Sequence, residues 1–167
     1  LNTYLNNDYY NTLTTDAKNM IGTTKYYLGG YNNSPSFTSD VMWQYERKNE
    51  ANRTGYYYRT NPIMQNDANK KIAIMYASDY GYAASKECLK GLLYYYEDSN
   101  CITTNNWLDK LQNEWLISQD SNGDNIVLYV LDSLVNGEIV GGKYGVRPTL
   151  SLSSHVKISG GFGTSSD

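Results

Sequence analysis

Residues 126–141 read "IVLYVLDSLVNGEIVG", and this stretch decides the fold class. Two runs rich in Val, Ile and Leu flank Asn136-Gly137, a dipeptide that favours the tight turn of a β-hairpin. The two runs are therefore predicted to be antiparallel strands. Further short strands are predicted on both sides of the hairpin, at 114–118, 144–152 and 155–159. The last third of the chain thus predicts a mostly antiparallel sheet.

The start of the chain predicts helices. Leu1, Leu5, Tyr9 and Leu13 recur at a spacing of four, which places them on one face of a helix. Thr14 is a candidate N-cap for a second helix, which the glycine that follows "TTDAKNMI" would end.

The middle of the chain is less regular. "KIAIMYAS" (71–78) predicts a buried strand, and "SKECLKGLLYYYED" (85–98) predicts a short helix that Ser85 caps and Gly91 weakens. Residues 40–70 lack a sustained period and predict long loops. Because no internal repeat or long polar linker interrupts the chain, residues 1–167 are predicted to form a single α+β domain, with helices first and a mostly antiparallel sheet after.

Charge and composition narrow the function classes. A net charge of −3 and a pI near 5.1 supply no positive field for nucleic acid or anionic lipid, so neither nucleic-acid binding nor membrane contact by this segment is expected. The 18 Tyr and 19 Asn offer the rings and amides of recognition surfaces, although codon bias on a hydrophilic surface explains them too. The chain opens on Leu1 rather than Met, so we expect an N-terminal anchor or pilin helix to precede it.

Cys88 and Cys101 are the two cysteines of the chain. A disulfide between them would close a short loop and suit an exported protein, and two free core thiols are the alternative. Zinc is disfavoured, because two distant cysteines and one histidine do not supply four ligands.

Motifs for catalysis are missing from the sequence. The lone His155 has no acidic neighbour, no G-x-S-x-G elbow occurs, and no glycine-rich loop opens a helix. Paired carboxylates of a glycan hydrolase remain an alternative, because sequence does not reveal their separation. No cofactor is expected, apart from a weak calcium site at Asp120, Asn122 and Asp124, whose alternate oxygen ligands also fit a plain turn.

A family resemblance follows from several stretches taken in order: "KIAIMYASDYGYAAS", "NNWL", "EWLIS", "YGVRPTLSL" and "ISGGFGTSSD". Together they resemble the C-terminal extracellular module of surface and pilin-like proteins from low-GC Gram-positive and related gut bacteria. The "GVRP" ending is similar to the last core strand of a C-type-lectin-like fold, which formylglycine-generating enzymes and the variable proteins of diversity-generating retroelements share. The resemblance implies a C-type-lectin-like α+β fold and a cell-surface-attached, extracellular location. Cysteine catalysis is not implied, because both cysteines lie well before the matching strands.

Within that resemblance Arg147 is expected to be structural. A guanidinium stays ionised and must be paired when buried, and Asp79 is the preferred partner, with Glu114 second. Trp115 is likewise expected to be structural.

The sequence thus favours a non-catalytic ligand-binding or adhesion module of a bacterial surface or pilus protein, whose partner is a protein or a glycan. The alternatives are a retroelement-diversified binding protein, a filament subunit that self-associates, and a cell-wall glycan hydrolase. The predicted binding residues are aromatics of the irregular segments: Trp43, Tyr45, Tyr56, Tyr57, Tyr58, Tyr94, Tyr95 and Tyr96.

Overall fold

The computed structural model describes residues 1–24, 26, 37–48, 70–96, 101, 106–110, 112–120, 125–157 and 159–160. Within these ranges short helical elements accompany two antiparallel sheets, which confirms the predicted α+β class. None of the helices in this part of the chain has the length and apolar composition that a bilayer crossing requires. The C-type-lectin-like topology stays a prediction.

Helical turns open the chain, as the four-residue spacing predicts. A π-helical segment, Tyr4–Tyr9, runs into helix α1 (Tyr10–Thr12), and helix α2 (Thr15–Met20) follows. The Thr14 hydroxyl accepts a hydrogen bond from the Ala17 backbone N–H at 3.2 Å, which confirms the predicted cap.

The buried face of the first helical segment is narrower than predicted. Leu5 is buried, whereas Leu1 is 60% exposed. The segment is held by Asn6, whose side-chain oxygen accepts hydrogen bonds from the backbone N–H groups of Lys71 and Ile72 at 2.8 and 3.0 Å. A polar contact to a strand edge therefore adds to the apolar packing.

Strands β2 (Glu114–Gln119), β3 (Ile126–Leu131) and β4 (Leu134–Ile139) form an antiparallel sheet in the order β2-β3-β4. The turn between β3 and β4 lies at Asp132 and Ser133, and the prediction of a turn at Asn136-Gly137 is wrong. Asp132 and Ser133 have φ of 46° and 73°, the positive values that a type I′ turn needs at both central residues. Asn136 and Gly137 lie inside β4 and pair with β3.

Packing explains this register. It buries Leu128, Val130 and Val135 in the core. Gly137 then faces the carboxylate of Asp120, and a Cβ at this position would lie 2.5 Å from Oδ2. The glycine thus permits a close approach rather than a turn.

Strands β1 (Ile72–Ile74) and β5 (Pro148–Leu150) form a second antiparallel pair. Helix α3 (Ser39–Trp43) and a π-helical segment, Gln44–Lys48, occupy the start of the region 40–70, so the loop prediction is wrong for these residues. The strand predicted at 71–78 is shorter than expected, because helix α4 (Ala77–Tyr82) replaces its second half. The predicted strand at 155–159 is wrong for its described residues: His155 lies in a turn, and positions 156, 157 and 159 have no regular structure.

Two short 3₁₀ helices, Lys86–Lys90 and Leu93–Tyr95, take the place of the single helix predicted at 85–98. The helical structure is interrupted between them at Gly91, where a Cβ would lie 3.0 Å from the Cys88 carbonyl oxygen. Ser85 makes no capping hydrogen bond, so that prediction is wrong.

The core divides into two clusters of buried side chains. One gathers around Phe37, Met42, Tyr80, Leu93, Tyr96, Leu116 and Leu128, and the other around Leu5, Tyr26, Ile72, Ile74, Tyr76 and Ile117. Tyrosines fill positions that phenylalanine fills elsewhere, and their hydroxyls need partners inside. The Tyr80 hydroxyl donates a hydrogen bond to the Ser133 carbonyl oxygen at 2.8 Å.

Candidate functional site

The aromatic residues predicted to bind a ligand have different environments. Trp43, Tyr45 and Tyr94 are half-buried, whereas Tyr95 is 39% exposed and meets the Tyr94 ring edge-to-face at a centroid distance of 5.0 Å. Tyr56, Tyr57 and Tyr58 lie outside the described residues.

Tyr96 is fully buried, and the prediction that it contacts a ligand is wrong. Its hydroxyl donates to the Gly81 carbonyl oxygen at 3.2 Å and lies 3.2 Å from the Ser39 hydroxyl. With two Phe in the whole chain, the core recruits this tyrosine.

Arg147 precedes β5 and pairs with Glu114, the first residue of β2. Its Nη2 lies 2.5 Å from Glu114 Oε1, and its Nη1 donates to the Leu108 carbonyl oxygen at 2.7 Å. Glu114 is the second partner that the sequence predicts for Arg147, and the preferred pairing with Asp79 is wrong. The guanidinium thus connects β5 to β2 and to the turn before it, while a quarter of its side chain stays exposed.

Asp79 pairs instead with Arg47, in the π-helical segment Gln44–Lys48. Its second oxygen accepts a hydrogen bond from the Tyr76 backbone N–H at 3.1 Å, at the start of α4. The Arg47 guanidinium lies over the Tyr76 ring, 4.2 Å from its centroid. Asp79 is therefore held in place, with about a third of its side chain exposed.

Two adjoining pockets, here together called the cleft, are lined by residues of α4 and β5. The first, here called the aromatic compartment, has a volume of about 340 Å³ and is lined by Asp79, Tyr82, Trp107, Leu108, Arg147 and Thr149. The second, here called the polar compartment, has a volume of about 320 Å³ and is lined by Thr24, Tyr26, Arg47, Tyr76 and Ser151, together with Asp79 and Thr149. Asp79 and Thr149 belong to both compartments.

Trp107 and Tyr82 are the exposed rings of the aromatic compartment, at 50% and 43% of their surface. The turn that carries Trp107 is anchored by the buried Asn106, whose amide donates to the Tyr80 carbonyl oxygen at 2.8 Å and accepts from the Leu108 N–H at 3.0 Å. The indole ring is therefore exposed on a rigid support.

The cleft combines ring faces with fixed hydrogen-bonding groups. Exposed rings bind the apolar face of a ligand, and positioned donors and acceptors orient its polar groups. Both arginines of the cleft are paired with carboxylates, Arg47 with Asp79 and Arg147 with Glu114. This charge balance suits a neutral, hydroxyl-rich ligand better than a strongly anionic one.

Glu46 precedes Arg47 in the π-helical segment and is a fully buried carboxyl group. It accepts hydrogen bonds from the Ala77 N–H at 3.1 Å and from the Ser78 N–H, in the first turn of α4, and from the Ser118 hydroxyl of β2. Burial raises the pKa of Glu46 from 4.5 to about 7, against the lowering effects of the Ser118 hydrogen bond and the Arg47 charge. Sequence reasoning missed this residue, because nothing local marks a glutamate for burial.

The predicted disulfide between Cys88 and Cys101 is present, with a Cα–Cα distance of 5.6 Å. Disulfides persist in oxidising compartments, so the bridge is compatible with an extracellular protein. Trp115 lies in β2, where its ring meets Tyr144 edge-to-face at 4.7 Å and packs near Tyr129 at 5.9 Å.

Of the three residues predicted to form a weak calcium site, the structure describes Asp120, which is buried against Gly137. Asn122 and Asp124 lie outside the described residues. Among the residues described, no group of three His, Cys, Asp or Glu side chains could hold a metal ion. Calcium binding at this loop stays a prediction.

Sequence reasoning passed over the two exposed rings of the cleft. Trp107 stands in the polar stretch "NNWLDK", and a lone tryptophan among polar residues is a usable signal for a binding ring. No family model, curated protein or solved structure matches the chain. The resemblance to surface and pilin-like modules stays a prediction.

Proposed function

We propose that this chain is a non-catalytic extracellular binding module of a bacterial surface or pilus protein, and that its cleft binds a neutral saccharide. The observation that carries the proposal is the aromatic compartment, whose lining combines the exposed aromatic residues Trp107 and Tyr82 with the charged residues Arg147 and Asp79. The disulfide supports the extracellular part of the proposal.

The chemistry of a sugar matches this arrangement. One face of a pyranose ring presents C–H groups that stack on an aromatic ring, and its hydroxyls both donate and accept hydrogen bonds. Asp79 offers acceptors, Arg147 offers donors and Thr149 offers both. Because the two charged groups are already held by ion pairs, little side-chain entropy is lost when a ligand binds.

A glycan array followed by titration calorimetry on the purified protein tests the proposal. Trp107→Ala is expected to weaken binding about tenfold or more, since losing an aromatic anchor costs at least about 1.4 kcal/mol. Tyr95→Ala is the matched control, because Tyr95 is exposed but lies outside the lining of the cleft.

Each other outcome has a distinct meaning. If Tyr95→Ala weakens binding and Trp107→Ala does not, the site is the Tyr94–Tyr95 pair rather than the cleft. Release of new reducing ends from the bound glycan would identify a hydrolase. Absence of binding to any glycan, together with concentration-dependent assembly in sedimentation velocity, would favour the filament subunit.

A further inference from the structure

We infer that the cleft takes an extended neutral oligosaccharide, which crosses Asp79 and Thr149 from the aromatic compartment into the polar compartment. This inference rests on the proposed function and specifies its ligand class. Each compartment alone lies at the lower end of the roughly 300–1,000 Å³ typical of small-molecule sites, which suits one sugar unit better than a chain.

The residues between the compartments suit a ligand that continues past them. Asp79 and Thr149 line both compartments, so a linear ligand that occupies both would contact these two polar side chains at the junction. Asp79 is held there by Arg47 and by the Tyr76 backbone N–H. The Asp79 carboxylate, fixed at the junction, would accept hydrogen bonds from the hydroxyls of two adjacent sugar units.

The two compartments offer different chemistry. The aromatic compartment supplies stacking through exposed rings, and this anchors one unit. In the polar compartment the rings of Tyr26 and Tyr76 are buried, and the lining includes the hydroxyl-bearing Thr24 and Ser151 together with the exposed Leu150. The second unit is therefore bound by hydrogen bonds and by contact with one aliphatic side chain, which add affinity only after the first unit is anchored.

The charges that line the cleft favour a neutral oligosaccharide over an acidic one. The ion pairs Arg47–Asp79 and Arg147–Glu114 already balance the positive charge of both guanidinium groups at the cleft. A carboxylate or sulfate on the ligand would compete with a protein carboxylate for its cation and would lie near the negative charge of Asp79.

Titration calorimetry against length series tests the inference. The probes are neutral glucose, galactose, mannose and N-acetylglucosamine oligomers from the single sugar to the tetramer, together with uronic-acid oligomers of the same lengths. Wild-type protein is expected to gain about tenfold in affinity from the single sugar to the dimer or trimer of one neutral series.

Variants locate the second unit. The double variant Thr24→Ala with Ser151→Ala is expected to lose most of the gain with length and to keep its affinity for the single sugar. Ser154→Ala, an exposed serine in a turn outside the cleft lining, is the matched control and keeps the full gain. Thermal melting of each variant confirms that it is folded.

The outcomes separate this inference from the proposed function. Equal affinity for all lengths, with the single sugar still bound in a Trp107-dependent way, overturns the extended ligand and leaves the function standing. Tighter binding of the uronic-acid series overturns the neutral ligand class. Binding of none of the series overturns the proposed function itself.

Discussion

Glu46 makes the stability of this protein depend on pH in an unusual direction for a carboxyl group. Its side chain is fully buried, and its pKa rises from 4.5 to about 7 in the folded chain. A group whose pKa is raised by folding binds its proton more tightly in the native state. The stability that the protonated form provides is therefore complete below pH 4.5 and is lost as pH rises through about 7.

The size of the effect follows from the two pKa values. The difference between 4.5 and about 7 corresponds to about 3 kcal/mol in the free energy of unfolding, at about 1.4 kcal/mol for each pH unit between them. Glu46→Gln removes the titration and keeps a group that accepts from the α4 backbone and donates to Ser118. The stability of this variant relative to wild type is thus expected to increase by about 3 kcal/mol between about pH 4.5 and 8.

Urea unfolding at about pH 4.5, 6 and 8, followed by tryptophan fluorescence, measures this difference. Glu87→Gln is a control of opposite sign, because hydrogen bonds from its own backbone N–H and from Ser85 lower the pKa of Glu87. Its stability relative to wild type should fall as pH rises towards about 4.5 and stay nearly constant from about pH 6 to 8. A Glu46→Gln difference that is constant or falls with pH would refute the reasoning, because it would mean that the amides at the start of α4 keep the buried carboxylate ionised.

Three further predictions concern stability, and urea or thermal unfolding checks each. Arg147→Ala should lower the free energy of unfolding by about 3 kcal/mol, because it leaves the buried Glu114 carboxylate unpaired. Arg147→Met combined with Glu114→Leu should recover most of that loss, and equal losses in the two variants would contradict the ion-pair explanation. Gly137→Ala should cost about 1–3 kcal/mol, since its Cβ would meet a carboxylate oxygen at 2.5 Å, whereas Gly141→Ala faces open space and should stay within about 0.5 kcal/mol. Reducing the disulfide should cost about 3 kcal/mol, and an unchanged melting temperature would argue against its role.

Local patterns were sufficient for much of the fold. The apolar runs of 114–118 and 126–131 became strands, and the threonine before α2 became its cap. The two cysteines paired as the short loop between them suggested. Each of these features depends on residues close together in the chain, so the amino-acid sequence alone predicts it.

The position of the hairpin turn shows where local signals end. Asp132-Ser133 and Asn136-Gly137 both carry turn-forming residues, and Asn-Gly is the stronger signal by itself. The choice depended on which register buries Val135. Helix α4 replaced the second half of a predicted strand for a related reason, because the distant Glu46 carboxylate accepts hydrogen bonds from its first two N–H groups.

The candidate site depended on tertiary structure even more. Sequence showed that a guanidinium near the end of the chain needs a carboxylate, since an arginine stays charged when it is buried. Several carboxylates met that requirement. Arg147 lies beside Glu114 because Gly145, two residues earlier, forms a parallel bridge with Glu114, whereas Asp79 pairs with Arg47. The sequence by itself thus determined the elements and the kinds of partner they require, because propensity and charge are local properties. Which residues meet, and the cleft that they form, were decided by packing, because distances between separate segments exist only once the chain has folded.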